Sequence, residues 1–319
     1  MLFVSILGLA LKLDINQVQH DVVEAMIKND GDAPLAILLP NTPFSGMKED
    51  VLQIRQNGRR LKFVGQHVQW DQNKINSYSK TIQPGEVWSQ NIDISQRYNT
   101  VNGLADIKLS FLYRECAFKN GTTELFACKL TRIIQSDEIS VYVKTHKREK
   151  VTSPNYRTRN CYFTKWLKAK YALNQFQKIQ RVAVADLIKG PSKAFTTFFG
   201  INDTATVLSV FEKTKKYKFD VECGSTECTM DGIYAFVYPE TPTIFLCSQF
   251  FKTNFIGFNS KVGTLVHEST HFRQTGDTED YAYGMDEAKR MASTSPELAI
   301  KNADNYEYFA ESLYFKLMI

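Results

Sequence analysis

Along the first half of the chain, apolar residues come in short runs separated by turn-forming dipeptides. Residues 51–54 and 61–64 flank Asn57-Gly58, a pair suited to the positive φ angles of a type I′ hairpin turn. Further runs at 81–82, 87–94, 107–113, 127–134 and 139–143 have the length and composition of strands, with Pro84-Gly85 and Asn120-Gly121 as turns between them. Short strands at this spacing predict an antiparallel β-sandwich over residues 13–143. Beyond residue 157 the period changes. Trp166, Leu167, Ala169, Leu173, Phe176, Ile179, Val182 and Ala183 recur at helical spacing, and Gly190-Pro191 ends the run. The pattern predicts helices over 162–187, 206–213, 262–272, 283–294 and 296–317, with short strands at 217–222, 233–238 and 243–247. The second half, 157–319, therefore reads as mainly helical with a small sheet. The fold class expected is a two-domain protein.

The two patterns meet in a polar, basic stretch, Lys-Thr-His-Lys-Arg-Glu-Lys followed by a segment interrupted by Pro154. Residues 144–156 are read as a linker, and exposed polar linkers are where proteases cut. Lys147-Arg148 is the expected processing site, which makes the first half a candidate pro-domain and the chain a candidate zymogen. At the start, residues 1–12 are apolar with small residues at Gly8 and Ala10, too short to span a bilayer, and suited to a signal peptide; a buried first strand is the alternative. Six cysteines and the sequons Asn120-Gly121-Thr122 and Asn202-Asp203-Thr204 point the same way, to a secreted, extracellular protein. Cys116 and Cys128 lie on neighbouring strand candidates and are placed for a local bridge.

A chain of 319 residues with 43% hydrophobic and 13% aromatic residues has ample material for two cores. The net charge of +5 is mild and scattered, apart from clusters at 144–150 and 213–218, which argues against a nucleic-acid binder. No apolar run is long enough for a membrane anchor. A monomer acting on protein or peptide substrates is expected.

One stretch carries chemistry. In His267-Glu268-Ser269-Thr270-His271, two histidines four apart share one helix face and are spaced to hold a single zinc ion, with Glu268 beside it to take a proton from water. Two imidazoles leave a catalytic zinc site one protein ligand short, and Asp277, Glu279 and Asp280 are all near in sequence. Spacing alone does not choose among them. His20 and His67 each stand apart and are read as structural histidines.

The motif and the following Thr278-Glu279-Asp280-Tyr281-Ala282-Tyr283-Gly284 resemble the aspzincin metallopeptidases, which include deuterolysins and peptidyl-Lys metalloendopeptidases. The family signature joins HExxH to GTxDxxYG; here Asp277 replaces the first glycine of the second motif. The resemblance spans residues 157–313 and implies Asp280 as third zinc ligand and Tyr283 as the phenol that supports the oxyanion. Segments 263–272 and 302–310 are more similar to the peptidyl-Lys branch, which implies a lysine-binding pair at Asp304 and Glu307, cleavage on the amino side of lysine, and bridges Cys161–Cys223 and Cys228–Cys247. A deuterolysin-like endopeptidase of broader specificity is the alternative. An inactive zinc-containing binding protein is a further one.

Overall fold

The computed structural model describes residues 4–5, 11–118, 125–146, 158–201 and 204–319. Most of the expected signal peptide, the sequon at 120–122, Asn202 and Asp203 of the second sequon, the Lys147-Arg148 site and most of the linker lie outside the described residues. The chain forms two compact units. One comprises Met1–Gln66 and Asn73–Glu149; the other comprises His67–Gln72 and Lys150–Ile319.

The first unit is built of β-strands. Its four-stranded sheet has the order β1-β2-β3-β9, with β1 Val4–Ser5, β2 Leu11–Gln19, β3 Val22–Asn29 and β9 Val87–Asp93. The other sheet runs β6-β5-β10-β4-β8, from β4 Leu35–Leu38, β5 Leu52–Gln56, β6 Arg59–Arg60, β8 Ser79–Ile82 and β10 Gly103–Phe118; β11 Leu125–Gln135 and β12 Ile139–Val143 also pair with β10. The two sheets share one core. Leu11, Leu13, Ile15, Val23, Ala25 and Ile27 enter it from one side, and Ile54, Ala105, Ile107 and Leu109 from the other. Alternation produces this arrangement, because side chains two apart on a strand face the same way. The Asn57-Gly58 hairpin forms, with positive φ at both residues. Its return arm stops at Arg60, and Phe63 makes only an isolated bridge with Tyr98, so the strand expected at 61–64 is absent. Cys116 and Cys128 pair in register across β10 and β11; the bridge expected between them falls among side chains outside the description.

The second unit has a mixed five-stranded sheet in the order β13-β14-β16-β15-β7, from β13 Thr158–Arg159, β14 Asp220–Cys223, β15 Ile233–Val237, β16 Thr243–Leu246 and β7 His67–Trp70. After the short α1 Gln72–Ile75, which belongs to the first unit from Asn73 on, the helices of this unit are α2 Phe163–Leu187, α3 Lys193–Phe199, α4 Thr204–Lys216, α5 Ser248–Lys252, α6 Lys261–His271, α7 Met285–Thr294, α8 Pro296–Ala299 and α9 Ala303–Tyr314. Phenylalanines are prominent in its core: Phe195 and Phe199 of α3 and Phe211 of α4 meet Phe309 of α9, and Phe198 meets Tyr308. Disulfides Cys161–Cys223 and Cys228–Cys247, the pairing that the resemblance implies, tie the sheet to the segments around it.

Two expectations are corrected here. The helix expected over 296–317 is two helices, and the interruption has a purpose. Ala303 donates its amide to Glu279 O (3.0 Å), and Glu279 donates to Lys301 O (2.7 Å). The Asn302 side chain accepts from the Ala282 amide (3.0 Å) and donates to its carbonyl (3.2 Å). Backbone groups that a continuous helix would consume internally fasten the 279–282 loop instead. The helix expected from 283 begins only at Met285, since Gly284 takes φ +99°.

Candidate metal centre

All eleven residues of α6 are buried, histidines and glutamate included. A helix buried on every side must be fixed by its neighbours, and α6 lies against α2 and α9. Its start is set by Ser260, whose hydroxyl accepts from the Gly263 amide (3.0 Å). Gly263 permits the close approach of α9, as a Cβ there would stand 1.9 Å from Glu311 Oε1. Its end is set by Phe272, which leaves helical geometry at ψ 137°.

The chain then doubles back on itself. The amides of Gly276 and Thr278 donate to Thr270 O at 3.1 and 3.3 Å, and the Thr275 hydroxyl donates to Ser269 O (2.7 Å). This turn returns Asp280 to the histidine face. Asp280 Oδ1 lies 3.1 Å from His267 Nε2 and 3.4 Å from His271 Nε2. Of the three acidic residues left open by spacing, Asp280 is the one the fold brings to both imidazoles. Asp277 instead pairs with Arg273 at 2.9 Å, and Glu279 faces His67 at 3.7 Å.

Both imidazoles are oriented from behind. His271 Nδ1 lies 2.8 Å from Thr278 O, an acceptor that places the proton on Nδ1 and leaves the Nε2 lone pair facing Asp280. His267 Nδ1 lies 2.8 Å from Asp304 Oδ1 and 3.5 Å from Glu307 Oε2. Burial pushes the Asp280 carboxyl up, but the His271 and His267 imidazoles beside it prevail and hold it well below the usual carboxylate range.

Tyr283 Oη donates to Val68 O (2.7 Å), and the Gly284 amide donates to Asp304 Oδ2 (2.6 Å). Asp304 and Glu307 sit one turn apart on α9, buried and directed at α6. Burial pushes Glu307 up to about 7, against the opposing pull of His267.

Comparison with known proteins gives a consistent picture. Residues 185–311 match the family model of aspzincin lysine-specific metallo-endopeptidases. The chain is 31% identical to the peptidyl-Lys metalloendopeptidase of Armillaria mellea, over 96% of its own length and 92% of that protein's. It is an aspzincin metalloendopeptidase. The peptidyl-Lys metalloendopeptidase of Pleurotus ostreatus is 36% identical over 48% of this chain and 94% of its own. A zinc peptidase structure from Grifola frondosa is 33% identical over 48% of this chain and 97% of its own, with a TM-score of 0.45.

The donor set of this aspzincin fits zinc. Bonds of 2.0–2.1 Å in tetrahedral geometry would set neighbouring donor atoms about 3.3 Å apart, against the 3.1 and 3.4 Å found. Two imidazole nitrogens and a carboxylate oxygen are also the right chemistry. Both Nε2 atoms and both Glu268 oxygens are buried with no hydrogen-bond partner in the protein. Burial pushes the Glu268 carboxyl well above its usual range. A buried polar atom without a partner is costly, and a cation held between the imidazoles would satisfy both Nε2 atoms. Asp277 explains the departure from the family motif. It takes φ +48°, the left-handed region in which glycine is usual and which aspartate tolerates.

The sequence reading missed three residues of this site. His67, Gln69 and Gln72, from the middle of the first half, all reach it, and His67 stacks ring to ring on His271 at 4.4 Å and 11°. Burial, before any neighbouring charge, lowers the His67 pKa well below its usual value. Nothing in the local sequence marks these positions: His67-Val68-Gln69-Trp70 alternates polar and apolar like an ordinary half-buried strand, and only the structure shows that all four residues are buried.

Proposed function

We propose that this chain is a secreted zinc metalloendopeptidase that hydrolyses internal peptide bonds on the amino side of lysine. The observation that carries this reading is the convergence of His267 Nε2, His271 Nε2 and Asp280 Oδ1, at 3.1 and 3.4 Å, beside the buried Glu268. These three residues hold one zinc ion. Zinc there supplies a Lewis acid and makes water a nucleophile at neutral pH.

The protein's own groups do the rest. Glu268 receives the proton from the attacking water and passes it to the leaving amine. Its burial favours that exchange, because the neutral acid is stabilised after each acceptance. Tyr283 donates a hydrogen bond to the carbonyl oxygen as negative charge develops on it. Asp304 and Glu307 receive the lysine ammonium of the residue whose amine departs. Asp304 has a second duty, fixing His267 through Nδ1.

The surrounding layout belongs to the same reading: a signal peptide within 1–12, a pro-domain over 13–143, a linker at 144–156 cut at Lys147-Arg148, and a monomeric catalytic domain over 157–319. Two disulfides in the second unit support an oxidising, extracellular destination, and among the described residues no helix is long and apolar enough to cross a membrane. The names of the relatives from Armillaria mellea and Pleurotus ostreatus support the lysine preference. Digestion of an unrelated protein, with and without a chelator, tests the proposal. New amino termini should begin with lysine, and the chelator should abolish them. Chelator-sensitive cleavage without lysine enrichment would favour the broader, deuterolysin-like specificity.

A further inference from the structure

Strand β7 is the edge of the sheet that borders the metal centre. It pairs antiparallel with β15 in the register His67↔Val237, Val68↔Phe236, Gln69↔Ala235 and Trp70↔Ile233. Beyond it, the Asp71 amide donates to Gly232 O (2.7 Å) and Gln249 donates to the Asp71 carboxylate (2.7 Å). This is how an extended peptide is held when it adds itself to a sheet edge, with main-chain bonds along its length and pockets for alternate side chains.

The contacts along β7 follow the order that the proposed reaction demands. The phenol of Tyr283 donates to the carbonyl of Val68. The next residue, Gln69, donates its side-chain amide to Glu307 Oε2, and Gln72 donates to Asp304 Oδ2 at 3.2 Å. In the reaction, Tyr283 addresses the carbonyl of the bond to be cut, and Asp304 and Glu307 receive the side chain immediately after it. The Val68–Gln69 bond thus lies in the register of a scissile bond, with glutamine where lysine would be. His67, one residue earlier, lays its ring on His271. A ring nitrogen of His67 also lies within 4.8 Å of the metal-binding atoms of His271 and Asp280.

We propose that residues 67–72 are a built-in substrate mimic, which fills the peptide-binding edge of β15 and keeps the uncut chain inactive. The inference rests on the peptidase reading for its direction. Glutamine suits the role: its neutral amide donates to Glu307 but does not bring the positive charge that two facing carboxylates select.

The test uses the full chain loaded with zinc. Gln69→Lys should turn the mimic into a substrate, so that water adds across the 68–69 amide, hydroxyl to the carbonyl carbon and hydrogen to the nitrogen. Mass spectrometry should find a new amino terminus at position 69, formed at a rate independent of protein concentration and absent when Glu268→Gln is added. The second arm needs no turnover. In a Glu268→Gln background, a fluorescent lysine-containing peptide should bind the His67→Ala/Gln69→Ala chain at least about tenfold more tightly than the chain with its native segment. Equal binding in the two chains would overturn the mimic, as would a Gln69→Lys chain that hydrolyses added lysine peptides but stays whole at position 69. Tighter binding with no turnover by any form would leave the mimic standing and remove the peptidase reading instead.

Discussion

Two buried polar sites, one in each unit, are arranged in opposite ways. In the first, Asn29 is fully buried, yet its side chain donates to Ala33 O and Ile82 O at 2.8 and 3.0 Å and accepts from the Gly31 amide at 3.0 Å. Its hydrogen-bonding capacity goes into holding turns. In the second, α6 carries His267, Glu268 and His271 into the core, and neither Nε2 atom and neither Glu268 oxygen makes a hydrogen bond within the protein. A fold selected for stability alone would bond or remove such groups, because each unsatisfied one costs about 1–3 kcal/mol. The contrast separates a buried side chain whose bonds serve the fold from a buried cluster whose free atoms serve chemistry.

Substitutions can break or sharpen that contrast. The largest effect is expected from Glu268→Gln, which keeps the shape of the side chain and removes its ability to accept a proton; kcat/KM should fall by about 10²–10⁴-fold while metal content, read by elemental analysis, is unchanged. Next, Phe309→Ala in the second core should cost about 3–5 kcal/mol and weaken metal binding with it. Ile107→Ala in the sandwich core should cost about 2–5 kcal/mol and leave metal affinity alone. Denaturant melts paired with chelator competition on both variants test the separation, and a loss of metal affinity in the Ile107 variant would abolish it.

A smaller effect bears on Asp304. Asp304→Asn should lower metal affinity by about 10–100-fold, as expected for a carboxylate that orients a metal-binding imidazole. If the variant lost only lysine selectivity, the contact with His267 would carry no weight. The smallest concerns Glu311, whose carboxyl is pushed well above its usual range, by burial first and the charge of Glu307 second, despite the bonds it accepts from Ser260 and Asn259. A carboxyl raised in the folded state favours folding fully below its unfolded pKa of about 4.5 and loses that contribution as pH climbs through the raised value. Glu311→Gln should therefore flatten the decline of Tm as pH rises above about 5, measured on metal-free protein.

How far the sequence could be read depended on distance along the chain. Phe176 and Ile179 repeat at helical spacing on α2, and both end in the core. Residues 11–15 alternate apolar and polar as a strand does, yet the apolar residues before them suit a leader equally well, and the local pattern does not choose between the two. The break between α8 and α9 was invisible, because it is made by bonds from 301–303 to 279–282, and local propensity contains no term for a partner twenty residues away.

Spacing within one helix was enough to place His267 and His271 on one face with Glu268 beside them, since a helical turn is fixed by backbone geometry. Which acid would join them was not decided there. Asp280 reaches both imidazoles because a tight turn after His271 and an interrupted helix at 300–302 together fold the loop back. His67 and Gln69 reach the centre only because a strand two hundred residues upstream pairs with β15. Periodicity determines what each segment is, whereas long-range hydrogen bonds and core packing determine which segments meet.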